Sequence, residues 1–187
     1  MKYYKLIPDS SAEDGWWLGS PTNLLSEPID AWAFTTGTRY ESNDMIVFPV
    51  KEGGAIHDFT FFAFGYLVMR KSPRTNEIIP QFRSSVQFIP AVASDGTELY
   101  VINVLNSIDC IDLACVNSYF PSNHEPRSKA GKPQMVIELR LLQNQIVDLP
   151  IFRVSGWQIP IIISDELLAY IKQKELIGIS GLPVLCK

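Results

Sequence analysis

Two aspartates and two cysteines, Asp109, Cys110, Asp112 and Cys115, fall within seven residues of one stretch, LYVINVLNSIDCIDLACVNSYF (Leu99–Phe120). Carboxylates and thiolates ligate metals, and a thiolate can attack a carbonyl. A structural zinc site wants four Cys or His ligands, commonly as two close pairs. Here Cys110 and Cys115 are five apart, Cys186 stands near the end of the chain, and His57 and His124 are scattered. Calcium takes six to eight oxygens, and Asp109 and Asp112 have no third oxygen-rich neighbour in the chain. A Cys–His pair would need His57 or His124 brought to Cys110 or Cys115. His124 sits in a proline-rich loop, and His57-Asp58 follows EGGA, the context of a surface turn. There is no G-x-S-x-G elbow, and EGG and GISG match neither phosphate-loop nor dinucleotide fingerprints. No cofactor or metal is therefore expected. An enzyme would have to use Asp109 and Asp112, helped by His57 or Cys110. Carboxylate pairs assembled from distant strands stay open as an alternative.

The structural reading of the stretch is a strand ending near Asn106, then a turn. In it Asp109 and Asp112 bind backbone N–H groups, and the cysteines are small core residues. On that reading Asp109→Ala lowers stability. The aromatics Trp16, Trp17, Trp32, Phe34, Phe61, Phe62 and Phe64 fill a core, the alternative being the lining of a ligand pocket. Trp16 and Trp17 are adjacent and cannot both point inward from a strand. One of them, beside the acidic Glu13 and Asp14, is available to a partner.

The elements that position these residues read mostly as strands. YYKLI, AWAFTTGT, MIVFPV, FTFFAFGYLVM, SVQFIPAV, QMVIELRLL and QIVDLPIFRV carry the β-branched, aromatic or alternating patterns of strands. One pattern occurs twice. After YLVMRKS, Ser72 is a helix N-cap with Pro73 at the first helical position. Ile78, Ile79 and Phe82 then form an apolar stripe, and SVQFIPAV returns as a strand with Pro90. After IPIIIS, Ser164 is the N-cap, and Asp165 and Glu166 occupy the first turn, where the helix dipole favours acids. Leu167, Leu168 and Ile171 form the stripe, Gly178 stops the helix, and GISGLPVL follows with Pro183. The chain is expected to be α+β, with mixed, mostly antiparallel sheets, a few short helices and a pair of strand–helix–strand units. FPSNHEPRSKAGKP (Phe120–Pro133) reads as an exposed, mobile loop.

The 187 residues suit a single domain 1–187, with an N-terminal lobe 1–95 and a C-terminal lobe 96–187 sharing one core. Apolar residues make up 47% and charged residues 19%, as in soluble globular proteins. No apolar run is long enough for a membrane span, and the N-terminus lacks a signal-peptide core. Three cysteines without paired spacing fit a reducing cytoplasm. The net charge of −4 is concentrated in residues 1–60, which hold nine acidic and four basic side chains. That disfavours nucleic acid and leaves room for a basic protein partner.

Four segments together resemble a family of bacterial immunity proteins from polymorphic toxin systems, formerly a domain of unknown function. They are WAFTTG (Trp32–Gly37), VQFIPAVASDGTELYVINVLNSIDCID (Val86–Asp112), LPIFRVSG (Leu149–Gly156) and IPIIISDELLAYIKQKELIGISGLPV (Ile159–Val184). Trp32, Gly37, Asp109, Asp112, Ser164 and Asp165 are the signature positions in them. The resemblance implies a non-catalytic cytoplasmic protein that binds and neutralises a cognate toxin encoded next to it. It carries over no catalytic residues and leaves the oligomeric state open. In the first unit RKSPRTNE replaces the Ser-acidic start seen at Ser164, so no shared role is assigned to that helix.

Overall fold

The computed structural model describes residues 1–9, 15–63, 65–125 and 129–187, apart from the Arg83 side chain. In its first half the strands are β1 (Tyr3–Pro8), β2 (Trp17–Leu18), β3 (Ile46–Phe48), β4 (Val50–Glu52), β5 (Phe59–Ala63), β6 (Tyr66–Arg70), β7 (Val86–Ala93) and β8 (Glu98–Val104). The second half adds β9 (Ser107–Ile108), β10 (Val116–Tyr119), β11 (Pro133–Val136), β12 (Arg140–Leu141), β13 (Ile151–Val154), β14 (Trp157–Ser164) and β15 (Ile179–Cys186). The α-helices are α1 (Pro73–Asn76) and α2 (Asp165–Gln173). Two main sheets result, of order β3-β7-β8-β6-β5 and β12-β15-β1-β14-β13-β9, with two small ribbons, β2-β4 and β10-β11. Three strand pairs are parallel, β3 with β7, β12 with β15 and β9 with β13; the others are antiparallel. This is the expected α+β class. No helix among the described residues is long and apolar enough to cross a membrane.

Both sheets are buried on both faces, which is why their central strands read as nearly continuous apolar runs. Successive side chains alternate between faces. Leu67 and Met69 of β6, with Ile161 and Ile163 of β14, enter a cluster between the two sheets that also takes Leu167, Leu168 and Ile171 of α2. Val68 points the other way, into an aromatic cluster with Trp16, Phe34, Phe48 and Phe62. Ile162 and Phe152 point to a third cluster with Cys110, Cys115 and Leu141.

The two-unit pattern holds in topology and extends beyond the helices. Leaving out β9, the sheets match strand for strand: β3, β7, β8, β6, β5 against β12, β15, β1, β14, β13, with one parallel pair followed by three antiparallel pairs in each. In both, a strand–helix–strand crossover leaves a gap that a third, antiparallel strand fills. In the first sheet the filler is β8, the next strand in the chain. In the second it is β1, from the opposite end of the chain. Details repeat as well. Pro90 lies opposite Tyr100, and Pro183 lies opposite Tyr4. The hairpins β5-β6 and β13-β14 each turn on a positive-φ glycine, Gly65 and Gly156.

Both N-caps form. Ser72 accepts from Thr75 N–H in a reciprocal capping box, and Ser164 accepts from Leu167 N–H at 3.2 Å. The helix after Ser72 is cut to four residues and continues as a 3-10 segment, Ile79–Ser85. Pro80 explains this, because it lacks the N–H that an α-turn needs. Other elements differ from the sequence reading. AWAFTTGT is no strand: Ala31–Thr35 is a 3-10 helix, because Asp30 caps it by accepting from Trp32 N–H at 3.0 Å. FTFFAFGYLVM is two strands, turned at Gly65. QMVIELRLL breaks into β11 and β12.

Polar contacts tie the two units together. Arg153 on β13 is fully buried and donates to Gln158 O (2.7 Å) and Gly65 O (2.7 Å), joining the β5-β6 turn to β14. A Cβ on Gly65 would lie 2.2 Å from Ile159 O, so only glycine admits this approach. Arg74, just inside α1, donates to the carbonyls of Lys174 and Glu175 at the end of α2. Buried Asp58 accepts from Ile177 N–H at 3.0 Å, and Phe59 N–H donates to Ile177 O.

Candidate functional site

The Asp109–Cys115 turn closes the outer face of the six-stranded sheet. Asp112 caps a short 3-10 turn, Leu113–Cys115, accepting from Ala114 N–H at 3.0 Å. Its second oxygen pairs with Lys187 Nζ at 3.1 Å, and its own N–H donates to Arg140 O at 2.9 Å. The Ala114 hydrogen bond, and then Lys187, hold the carboxyl below the ordinary aspartate range. Asp109 is different. It stands exposed, and none of the described hydrogen bonds that hold the turn ends on its carboxylate. The backbone bonding expected of both aspartates belongs to Asp112.

The cysteines are packed. Cys110 is fully buried, and burial, with Asp109 nearby, pushes its thiol up to about 12, far from a reactive thiolate. Cys115 is buried in the same cluster, and Cys186 lies partly buried against it. His57 packs beside Gly178, and the His124 ring lies on Phe120, with centroids 4.5 Å apart. Among the described residues no three His, Cys, Asp or Glu side chains are grouped to hold a metal.

The remaining signature residues lie apart from the Asp109–Cys115 turn. Trp32 is 56% exposed, meets Tyr66 edge-on and lies under Lys129 Nζ at 5.3 Å. Gly37, at φ +77°, lets the chain close against Leu105 and Ser107. Asp165 opens α2, its N–H donating to Lys2 O. Trp16, just before β2, is buried, and Trp17 at the start of β2 is 63% exposed. Glu13, Asp14 and Phe64 lie outside the described residues, as do residues 126–128 of the Phe120–Pro133 loop.

The aromatic group packs against itself: Phe48–Phe62 and Phe62–Tyr66 centroids are 4.8 and 5.0 Å apart. A cleft of about 200 Å³ lies elsewhere, lined by Ala114, Cys115, Asn117, Ile137, Glu138 and Arg140. The sequence reading missed Arg153, because nothing local marks an apolar strand's arginine as a bridge between sheets. It also missed Leu24 and Leu25, which are 73% and 79% exposed. Their signal was present, as two adjacent leucines inside the polar run SPTNLLSEP.

The fold is an α+β protein of two matched sheets, in which Asp112 and Ser164 cap helical turns and Asp109 stands exposed. The family model of the immunity protein family (Imm11) matches residues 5–184, nearly the whole chain, and the chain belongs to that family. A search of curated proteins finds no match.

Proposed function

We propose that this chain, acting as one domain, binds a cognate bacterial toxin and neutralises it by covering it, without catalysing a reaction. The observation that carries this reading is the family match over residues 5–184. It is supported by the roles of the residues best suited to chemistry. Asp112 is engaged in a cap and an ion pair, and Cys110 is sealed in the core. The toxin is encoded beside this chain's gene, and the two meet in the cytoplasm, where an unpaired set of three thiols stays reduced. Trp17 is the member of the tryptophan pair left to face a partner.

The test is co-expression in a bacterial host. The neighbouring toxin domain alone should arrest growth. With this chain present growth should recover, and the two proteins should purify together. Absence of both rescue and complex overturns the reading.

A further inference from the structure

The segment Thr22–Pro28 is a tight turn along the β3 edge of the five-stranded sheet. Its base is paired twice: Thr22 bridges Pro28, and Thr22 also exchanges backbone hydrogen bonds with Val47 of β3, at 2.9 and 2.8 Å. Its interior is held by Asn23. The Leu25 and Glu27 N–H groups both donate to Asn23 Oδ1 at 2.9 Å, and Asn23 Nδ2 donates to Glu27 Oε2 at 2.7 Å. The backbone closes it further, with Asn23 N–H donating to Glu27 O and Ser26 N–H donating to Asn23 O. Ser26 sits at φ +62°, a conformation unfavourable for a residue with a Cβ. A strained, heavily bonded turn thus displays two leucines that are mostly exposed.

Its surroundings are mainly acidic. Asp44 and Met45 lie within three residues of Val47, and the leucines within three residues of Thr22. All four are therefore within about 10 Å of that backbone pair. Met45, two residues before Val47, is 42% exposed. Glu27, Asp30 and Asp44 are exposed around it, and Ile29 N–H donates to Pro21 O, which holds Asp30 at the turn's base. From Gly19 to Lys51 the chain carries four acidic residues, Glu27, Asp30, Glu41 and Asp44, against two basic ones, Arg39 and Lys51, the latter lying against Gly19. Another exposed apolar group, around Leu113 and Ile137, lies beside Glu138 and Arg140, of mixed charge.

We propose that the Leu24–Leu25 turn is the docking knob of this chain, and that its occupant is an apolar pocket with a lysine- and arginine-rich rim on the toxin domain. The inference rests on the toxin-binding reading. A rigid apolar tip loses little freedom on binding, and the acidic ring speeds encounter with a basic rim. This is the pattern of a binding hot spot: a few desolvated anchors inside a polar rim.

The experiment measures association of the purified chain with the toxin domain encoded beside its gene, at low and high salt. Leu24→Ser/Leu25→Ser should weaken the complex at least about 100-fold while leaving the melting temperature unchanged. Leu113→Ser/Ile137→Ser, the matched pair on the other surface, should bind as the parent does. Glu27→Lys/Asp44→Lys should slow association about 10-fold or more at low salt, and the difference should shrink at high salt. Binding by the parent with equal affinity for the Leu24/Leu25 variant overturns the docking site alone. So does loss confined to the Leu113/Ile137 variant. No binding by the parent overturns the toxin-binding reading itself. Should the leucine variant not fold, the charge-reversal variant decides: an unchanged on-rate overturns the proposal.

Discussion

Asp109 and Asp112 have the same chemistry and are three residues apart, yet only one is built into the fold. Asp112 joins three parts of the chain: its own 3-10 turn, the backbone at Arg140 and the C-terminal Lys187. Asp112→Ala should therefore lower the melting temperature clearly, and Asp109→Ala should not, reversing the expectation that sequence alone suggests for Asp109. The pH dependence follows from the depressed pKa of Asp112. Its contribution is complete above the ordinary aspartate value, about 3.9. It fades as pH falls through the lower folded value, because protonation then removes the charge that Lys187 and Ala114 N–H stabilise. Thermal melts of the parent and of Asp112→Asn across that range should converge toward the acid end. Equal melting temperatures for Asp112→Ala and the parent at neutral pH would sink the assignment.

Elements were legible where a local residue dictates them. Ser72 with Pro73, and Ser164 with Asp165 and Glu166, announce helix starts because capping is local chemistry. AWAFTTGT was misleading because its alternation is real, but Asp30, one residue upstream, captures Trp32 N–H and turns the chain. Gly65 hides a hairpin inside an apolar run, since a strand buried on both faces loses the alternation that would mark its end. The repeated prolines gain a meaning only from pairing. Lys187 N–H donates to Leu141 O, so by alternation Leu185 and Pro183 also face the β12 side of β15. The β12 ladder covers only Leu185 and Cys186. Ser94 N–H donates to Phe48 O, which places Pro90 toward β3, whose ladder covers only Ala91–Ala93. Each proline thus withholds a donor where the short edge strand stops, a known guard against edge-to-edge pairing. Pro183→Thr should lower stability by no more than about 1 kcal/mol. It should, however, make the protein self-associate as concentration rises, read by sedimentation or light scattering. A variant that stays as dispersed as the parent would remove the guard role.

At the scale of the molecule, the pairing of β1 could not be read from the sequence. YYKLI is a good strand in isolation, but nothing near it says that it fills the gap between β14 and β15, more than 150 residues away. Its register places Tyr3 opposite both Ser164 and Val184, so the two chain ends approach each other on neighbouring strands. Rejoining them would turn β15 and β1 into a hairpin and make the second unit continuous, in the order that the first already has from β3 to β8. A permuted chain, with Lys187 linked to Met1 by a short glycine-rich turn and new ends between Asp9 and Gly15, should fold and melt cooperatively within a few degrees of the parent. Removing residues 1–9 instead takes Tyr3 and Leu6 out of two clusters and leaves β14 and β15 without their shared partner. That deletion should abolish the cooperative melt. If the permuted chain failed to fold while the deletion survived, β1 would be an accessory strand, and the strand-for-strand match of the two sheets would carry no energetic weight.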